Sequence, residues 1–396
     1  MRRRLEALDR ALLLPASPRE QQLLHAQRAL LLARLGDSVA SRRDIASLKA
    51  DPRVVVDPEL AAWAWLAEGV CDYYDNLSLR ESLDRVQRAC AMAAAAAAPL
   101  VQALAAAWRA HLELQLETRS AVGAAADLSP SGEWRRWAVE AFSLADERNH
   151  AARSRAALVM AWATHLAAGE SRARPWYAVA RRHAALEGDG ATMSALMHNL
   201  AALQVLRLRL EAIQGLPDPG VARRALLATE SSGALDESLR SRLMRAHLHL
   251  LRAQAFVMLG RYEEALALYD RHLDEGRREG LRGLEPLFQA DRARCLQALG
   301  QTEAAAMAYR AAEQLLNALP AGLPIEEECL VRFELARGCQ IQSDVAGQEG
   351  HEHALRRALA RLRHSHQLRL EQIESTGLES WGLPDRSGTT SQTELH

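Results

Sequence analysis

Lysine is almost absent from this sequence: Lys49 is the only one, and arginine supplies the rest of the 49 basic residues. The 50 acidic residues balance them, so the formal net charge is −1. A chain with so little excess charge is not suited to coating nucleic acid or an anionic membrane. Nucleic acid is therefore not an expected partner.

Cysteine is also scarce, with five residues that form no C-x-x-C pair. An odd, scattered set argues against a disulfide framework or a cysteine-based metal site, and we expect a reduced, cytoplasmic protein. The start MRRRLEALDRALLLP has a basic head, but Glu6, Asp9 and Arg10 interrupt the apolar stretch that a signal peptide needs. The cysteines are Cys71, Cys90, Cys295, Cys329 and Cys339.

Aromatic residues make up only 5% of the chain, and β-branched runs are nearly missing apart from RVVVD at 53–57. Alanine and leucine dominate a composition that is 49% hydrophobic. These residues favour close-packed helices, so the sequence predicts an all-α chain without a sheet. The uncharged stretch from Ala89 to Trp108 contains Pro99, which begins a helix better than it continues one. We expect two helices there and no membrane span.

Motifs that mark catalytic or nucleotide-binding sites are missing as well. The sequence contains neither G-x-x-x-x-G-K-[ST] nor G-x-G-x-x-G, and neither H-E-x-x-H nor G-x-S-x-G. His353 and His364 share a helix face, but their spacing places them about 16 Å apart along the axis, too far to share one ion. We therefore expect no enzyme activity, no cofactor and no metal site.

Apolar residues recur at helical spacing along most of the chain, and proline, glycine and serine clusters separate the periodic segments. The predicted helices pair into about seven hairpins. They cover residues 18–35, 38–49, 58–74, 78–98, 99–121, 132–147, 150–168, 171–187, 191–213, 219–231, 235–259, 262–276, 284–299, 302–318 and 325–343.

The stretch LGRYEEALALYDRHL, from Leu259 to Leu273, has residues at the positions that a helical hairpin requires. Gly260 follows an apolar run of helical period, and a glycine can take the left-handed conformation that ends a helix. Ala265 shares a helix face with Tyr262 and Tyr269, and its small side chain lets two helix axes approach closely. The stretch therefore predicts a structural joint.

The same spacing recurs forty residues later, where Gly300, Ala305 and Tyr309 take the offsets of the first set. Further glycines from Gly123 to Gly338 are separated by 38 to 46 residues. A hairpin that repeats with a nearly fixed period indicates a helical solenoid.

These positions resemble the tetratricopeptide repeat, which has a small residue in its first helix, a turn glycine, and an aromatic-alanine-aromatic set in its second helix. The resemblance implies a right-handed superhelix of about seven antiparallel helical hairpins. The period exceeds the usual 34 residues and is similar to long-repeat variants in bacterial regulators and sensors. The matching residues are Ala253, Phe256, Gly260, Tyr262, Ala265 and Tyr269, then Ala293, Leu296, Gly300, Ala305 and Tyr309.

The pattern changes near the C-terminus, and we divide the chain into a solenoid at 1–347, a polar helix at 348–375 and a disordered tail at 376–396. The polar helix carries an apolar stripe that His366 and Arg369 interrupt. A stripe of this length is compatible with a short coiled coil. The C-terminal helix is therefore a candidate contact for a homodimer. The stripe consists of Leu355, Leu359, Leu362, Leu370 and Ile373.

First helices of such a solenoid line its concave side, where polar residues usually contact a partner. Arg294 is the strongest candidate, because a guanidinium group can hold a carboxylate in fixed geometry. The lysines with which this family grips a peptide carboxylate are missing, so we do not expect that mode of binding. The predicted groove residues are His198, Asn199, His247, Gln254, Arg294 and Gln297.

The function that this pattern favours is a non-enzymatic bacterial interaction module that binds a protein or peptide. Two alternatives stay open. A solenoid followed by a signalling helix is similar to the input half of diguanylate cyclases, here without a catalytic domain. A DNA-binding regulator, or an accessory protein of one, is the other alternative, although the sequence shows no helix-turn-helix to read DNA.

Overall fold

Helices account for all the regular structure in the part of the chain that the computed structural model describes, which is residues 2–75, 78–120, 132–215, 219–239, 244–319 and 323–378. No strand occurs among those residues. The prediction of an all-α protein is confirmed.

The helices are, in chain order, α1 (Arg2–Leu12), α2 (Pro18–Arg34), α3 (Ser38–Ala50), α4 (Pro52–Val56), α5 (Pro58–Tyr74), α6 (Leu79–Ala95), α7 (Pro99–Ser120), α8 (Glu133–Leu144), α9 (His150–Ala168), α10 (Glu170–Glu187), α11 (Gly190–Ile213), α12 (Pro219–Leu239), α13 (Arg245–Met258), α14 (Tyr262–Arg278), α15 (Glu285–Ala298), α16 (Thr302–Ala318), α17 (Ile325–Ile341) and α18 (Val345–Glu374). A short 3-10 helix at Leu281–Leu284 precedes α15.

Consecutive helices pack in pairs, from α2 with α3 and α5 with α6 to α15 with α16 and α17 with α18. First helices of neighbouring pairs also touch one another, from α2 and α5 to α15 and α17. One side of the array is therefore lined by first helices, and we call it the inner side. The described residues form eight such pairs instead of about seven, because α17 has α18 as its partner. The right-handedness of the array stays a prediction.

Short polar caps and glycines set the ends of these helices. Ser17 and Glu20 form a capping box at the start of α2, which satisfies backbone N–H groups that have no partner within the helix. Gly260 ends α13 with a φ of 72°, and the Arg261 N–H then donates to the Phe256 carbonyl at 2.9 Å. Gly300 repeats this turn after α15 with a φ of 76°.

The small residues of the repeat lie where helices touch. Ala265 and Ala305 are completely buried, and so is Tyr269. Gly338 has a different role from the turn that its spacing suggests, because it lies within α17. A Cβ atom built on Gly338 would lie 2.9 Å from the ring of Tyr309, so the missing side chain lets α16 and α17 pack closely.

Several predicted boundaries were wrong. The break predicted between helices 219–231 and 235–259 does not occur, since α12 continues to Leu239. Ser232 is completely buried, and a Cβ atom on Gly233 would touch Leu248 of α13 at 3.4 Å. These small residues serve helix packing instead of a turn. Helices α1 and α4 lie outside the predicted ranges, and α18 begins at Val345 instead of after residue 347.

The array curves until distant helices meet. Helix α17 touches α11, and the last part of α18 packs on α9. Ile373 and Leu378 belong to the same apolar core as α5 to α10. The Arg135 guanidinium on α8 donates to Ser375 Oγ at 2.6 Å. Helix α18 therefore closes part of the inner side.

This packing bears on two expectations about the C-terminal region. Leu355, Leu362 and Ile373 of the apolar stripe are buried within the chain, so the structure gives no support to a homodimer through that stripe. Leu378 is also buried, although it belongs to the segment expected to be disordered from residue 376. Residues 379–396 lie outside the described part of the chain. Nowhere in that part is a helix both long and apolar enough to span a membrane.

Candidate functional site

The predicted groove residues lie on α11, α13 and α15, which are first helices of their pairs. The structure brings two of them together: His198 Nε2 is 3.0 Å from His247 Nδ1. His198 and Gln254 are buried, whereas Asn199, His247 and Gln297 are half-buried. The set is thus only partly accessible, and its role in binding stays a prediction.

Arg294 already holds a carboxylate from its own chain. Its Nη1 donates to Glu334 Oε1 of α17 at 2.8 Å, and the Glu334 side chain is 2% exposed. The guanidinium geometry that made Arg294 a candidate for contacting a partner is used here to join α15 to α17. A partner's carboxylate would have to compete with Glu334 for this arginine.

Neighbouring inner-side polar groups are buried and paired in the same way. Arg209 of α11 donates from Nη1 to Asp291 Oδ2 of α15 at 2.9 Å, and the Tyr269 hydroxyl donates to the same oxygen at 3.0 Å. All three side chains are buried. A buried charge is tolerated only when it is paired in this manner, so this part of the inner side is structural.

An open chamber of about 600 Å³ remains where α18 closes over the inner side. Such a volume is within the range of about 300–1,000 Å³ that is usual for ligand sites. Four helices and the residues directly after two of them line the chamber. They are His165–Ala168 of α9 and the following Gly169; Leu203, Leu206, Arg207, Leu210 and Glu211 of α11 and the following Gln214; Glu326 of α17; and Leu359, Leu362, Arg363 and His366 of α18.

The apolar wall of the chamber comes from two helices. Leu203, Leu206 and Leu210 recur at helical spacing on α11, and Leu359 and Leu362 face them from α18. Residues three and four apart lie on one face of a helix, so each helix presents a continuous leucine surface. This wall suits an aliphatic group.

His165 is one of the buried polar groups of the chamber, with 3% of its surface exposed. Its Nδ1 is 3.0 Å from the Tyr177 hydroxyl, and its Nε2 has no hydrogen-bond partner among the described residues. Burial lowers the pKa of His165 to about 4, so the ring is neutral at pH 7. When the Tyr177 hydroxyl donates to Nδ1, the ring hydrogen is on Nε2. Nε2 itself is buried.

Charged groups of both signs surround this histidine. Arg207 Nε donates to Glu211 Oε1 at 2.8 Å within α11. Burial opposes ionisation of Glu326, but His366, whose Nε2 is 3.6 Å from Glu326 Oε1, and the positive charge of Arg369 together lower the pKa of this carboxyl. Each chamber carboxylate therefore has a cationic or imidazole neighbour from the same chain.

Gly169 fixes the end of α9 beside these groups. Its φ is 83°, and a Cβ atom there would collide with the Arg207 guanidinium group. The glycine therefore satisfies the turn and leaves room for Arg207. The sequence singled out Gly169 only as one glycine of the repeat.

The sequence does not reveal the chamber, because its walls come from residues up to about 200 positions apart, from His165 to His366. One signal pointed to it. His366 and Arg369 interrupt the apolar stripe of α18, and in the structure both lie beside Glu326. The described residues contain no cluster of three possible His, Cys, Asp or Glu ligands of a metal ion.

Comparison with known proteins finds a likeness of fold and no match of sequence. No family model matches the sequence, and no curated protein matches it either. Among solved structures, a Rap protein complexed with Competence and Sporulation Factor matches with a TM-score of 0.56 and 11% sequence identity, over 89% of each chain. The chain therefore has the helical repeat fold of that protein. At this identity the likeness concerns the fold alone, and the long-repeat regulator type stays a prediction.

Proposed function

We propose that this protein is a non-enzymatic interaction module that binds a peptide or peptide-like segment of a protein on its inner side, with the chamber as the main contact. The observation that carries the proposal is the chamber itself. It combines a leucine wall with a buried histidine, His165, whose Nε2 has no hydrogen-bond partner among the described residues. Binding sites generally have this composition, mostly apolar with a few fixed polar groups.

The shape of the chamber supports a peptide more than a large folded surface. Helices α9, α11, α17 and α18 enclose it on several sides, so an occupant must enter as a narrow segment. The structural relative with this fold was solved with a bound factor, which is consistent with binding on such an array. Half-buried Asn199, His247 and Gln297 are candidates for further contacts along the same side.

Selection from a library of short random peptides displayed on phage tests this function. Peptides that bind the full chain are then measured by fluorescence anisotropy against Leu206→Glu, which places a charge in the leucine wall. The control is Leu227→Glu, at an exposed leucine of α12 outside the chamber. We expect Leu206→Glu to weaken binding at least tenfold, about 1.4 kcal/mol, and Leu227→Glu to leave it unchanged. Failure to select any binder, or an equal loss in both variants, would contradict the proposal.

A further inference from the structure

The charges of the chamber indicate what its ligand carries, given the proposed function. We propose that the chamber selects a ligand in which a carboxylate adjoins an aliphatic group, and that Arg363 of α18 holds this carboxylate. Arg363 lines the chamber. No carboxylate of the described residues pairs with it, in contrast to the other charged groups of the wall.

The balance of charge on the wall supports this assignment. Arg207 is paired with Glu211 at 2.8 Å. Glu326 has His366 at 3.6 Å and the charge of Arg369 nearby. Once these groups are matched, Arg363 is the cation of the wall left without an acidic partner among the described residues. A ligand carboxylate would complete the set, whereas an amine would meet an uncompensated positive charge.

A histidine on another wall of the chamber is compatible with the same class of ligand. His165 of α9 lines the chamber, and its buried Nε2 has no hydrogen-bond partner among the described residues. When the Tyr177 hydroxyl donates to Nδ1, Nε2 carries the hydrogen, and a ligand oxygen that reaches it would satisfy this donor. The leucines of α11 and α18 then contact the aliphatic part itself.

Two sources share this chemistry, a peptide that ends in an aliphatic residue and a free aliphatic acid. Four probes separate them by isothermal titration calorimetry on the full chain: N-acetyl-trileucine, its C-terminal amide, octanoate and octanamide. Acetylation removes the peptide's ammonium group, so each pair differs only at the carboxylate. The variants are Arg363→Gln and Arg357→Gln; both residues are exposed arginines of α18, and of the two only Arg363 lines the chamber.

We expect at least one carboxylate probe to bind ten times more tightly than its amide, and Arg363→Gln to abolish that preference while Arg357→Gln retains it. Stronger binding of N-acetyl-trileucine identifies a peptide terminus, and stronger binding of octanoate identifies a free acid; either supports the proposal. Equal binding of acid and amide, or a preference that survives Arg363→Gln, overturns it. If the carboxylate preference is overturned but the peptides selected by display still require Leu206, the proposed function stands without this ligand class. Unfolding midpoints of both variants verify that they are folded.

Discussion

Buried ion pairs at the inner side show how single residues hold this array together. Arg209 spans from α11 to Asp291 on α15, and Arg34 on α2 contacts Asp189 at the start of α11. In each case an arginine joins helices that are far apart in sequence. Arg209 forms two parallel hydrogen bonds to the Asp291 carboxylate, and this arginine geometry gives the contact a fixed direction.

Arg209→Ala should strongly destabilise the protein, because it leaves the buried Asp291 carboxylate without its counter-charge. Breaking a buried pair in this way costs about 3–5 kcal/mol. The matched control is Arg207→Ala, two residues earlier on α11, where the arginine side chain is 55% exposed and pairs with Glu211. An exposed pair contributes about 0.2–1 kcal/mol. Urea unfolding measures both variants, and comparable small losses would show that the Arg209 pair is not structural.

At the scale of the element, the hairpin joints depend on small residues that let helices approach. Ala265 is completely buried on α14, within the core that contains Phe256 of α13 and Phe288 of α15. There is no space at such a contact for a larger side chain, because protein interiors are close-packed.

Ala265→Trp should overpack this contact and lower the free energy of unfolding by about 1–3 kcal/mol. Glu264→Gln, at the neighbouring exposed position, should have little effect, since Glu264 contacts only Arg261 on the surface. Thermal unfolding followed by circular dichroism gives both values. If the tryptophan variant is as stable as the glutamine variant, the register of this joint is wrong.

At the scale of the whole molecule, buried histidines connect stability to pH. Burial lowers the pKa of His165 and of His198 to about 4, and the neighbouring His247 is shifted in the same direction. In the unfolded chain these imidazoles titrate near their usual pKa of about 6.5. The unfolded state therefore binds more protons than the folded state between about pH 6.5 and pH 4.

Stability should therefore be highest above pH 6.5 and fall as the pH drops toward 4. His198→Gln removes one of the groups responsible, so its urea midpoint should change less steeply over this interval than that of the parent protein. His353→Gln, at an exposed position of α18, should keep the parent slope. The slope of midpoint against pH is the quantity to compare, because His198→Gln also alters packing. Identical slopes in all three proteins would exclude the buried histidine as a source.

The sequence by itself determined the local structure. Alanine and leucine at helical spacing define most helices to within a few residues, and a positive φ at Gly260 and Gly300 ends α13 and α15. These features depend on neighbours within one or two turns of helix, so the pattern of the chain contains them. The small residues Ala265 and Ala305 also follow from that local pattern: Ala265 lies between Tyr262 and Tyr269 on one helix face, and Ala305 has the same offset from Gly300 and Tyr309.

Tertiary structure decided the rest. Whether Gly233 and Gly338 end a helix or fill a close contact depends on Leu248 and Tyr309, which belong to other helices. The docking of α18 on α9 and the chamber beneath it depend on the curvature of the whole array, which accumulates from small angles at every pair. No single segment of the sequence specifies this total curvature. The sequence pattern therefore predicts the repeat, whereas only the folded molecule brings His165 and Arg363 into one site.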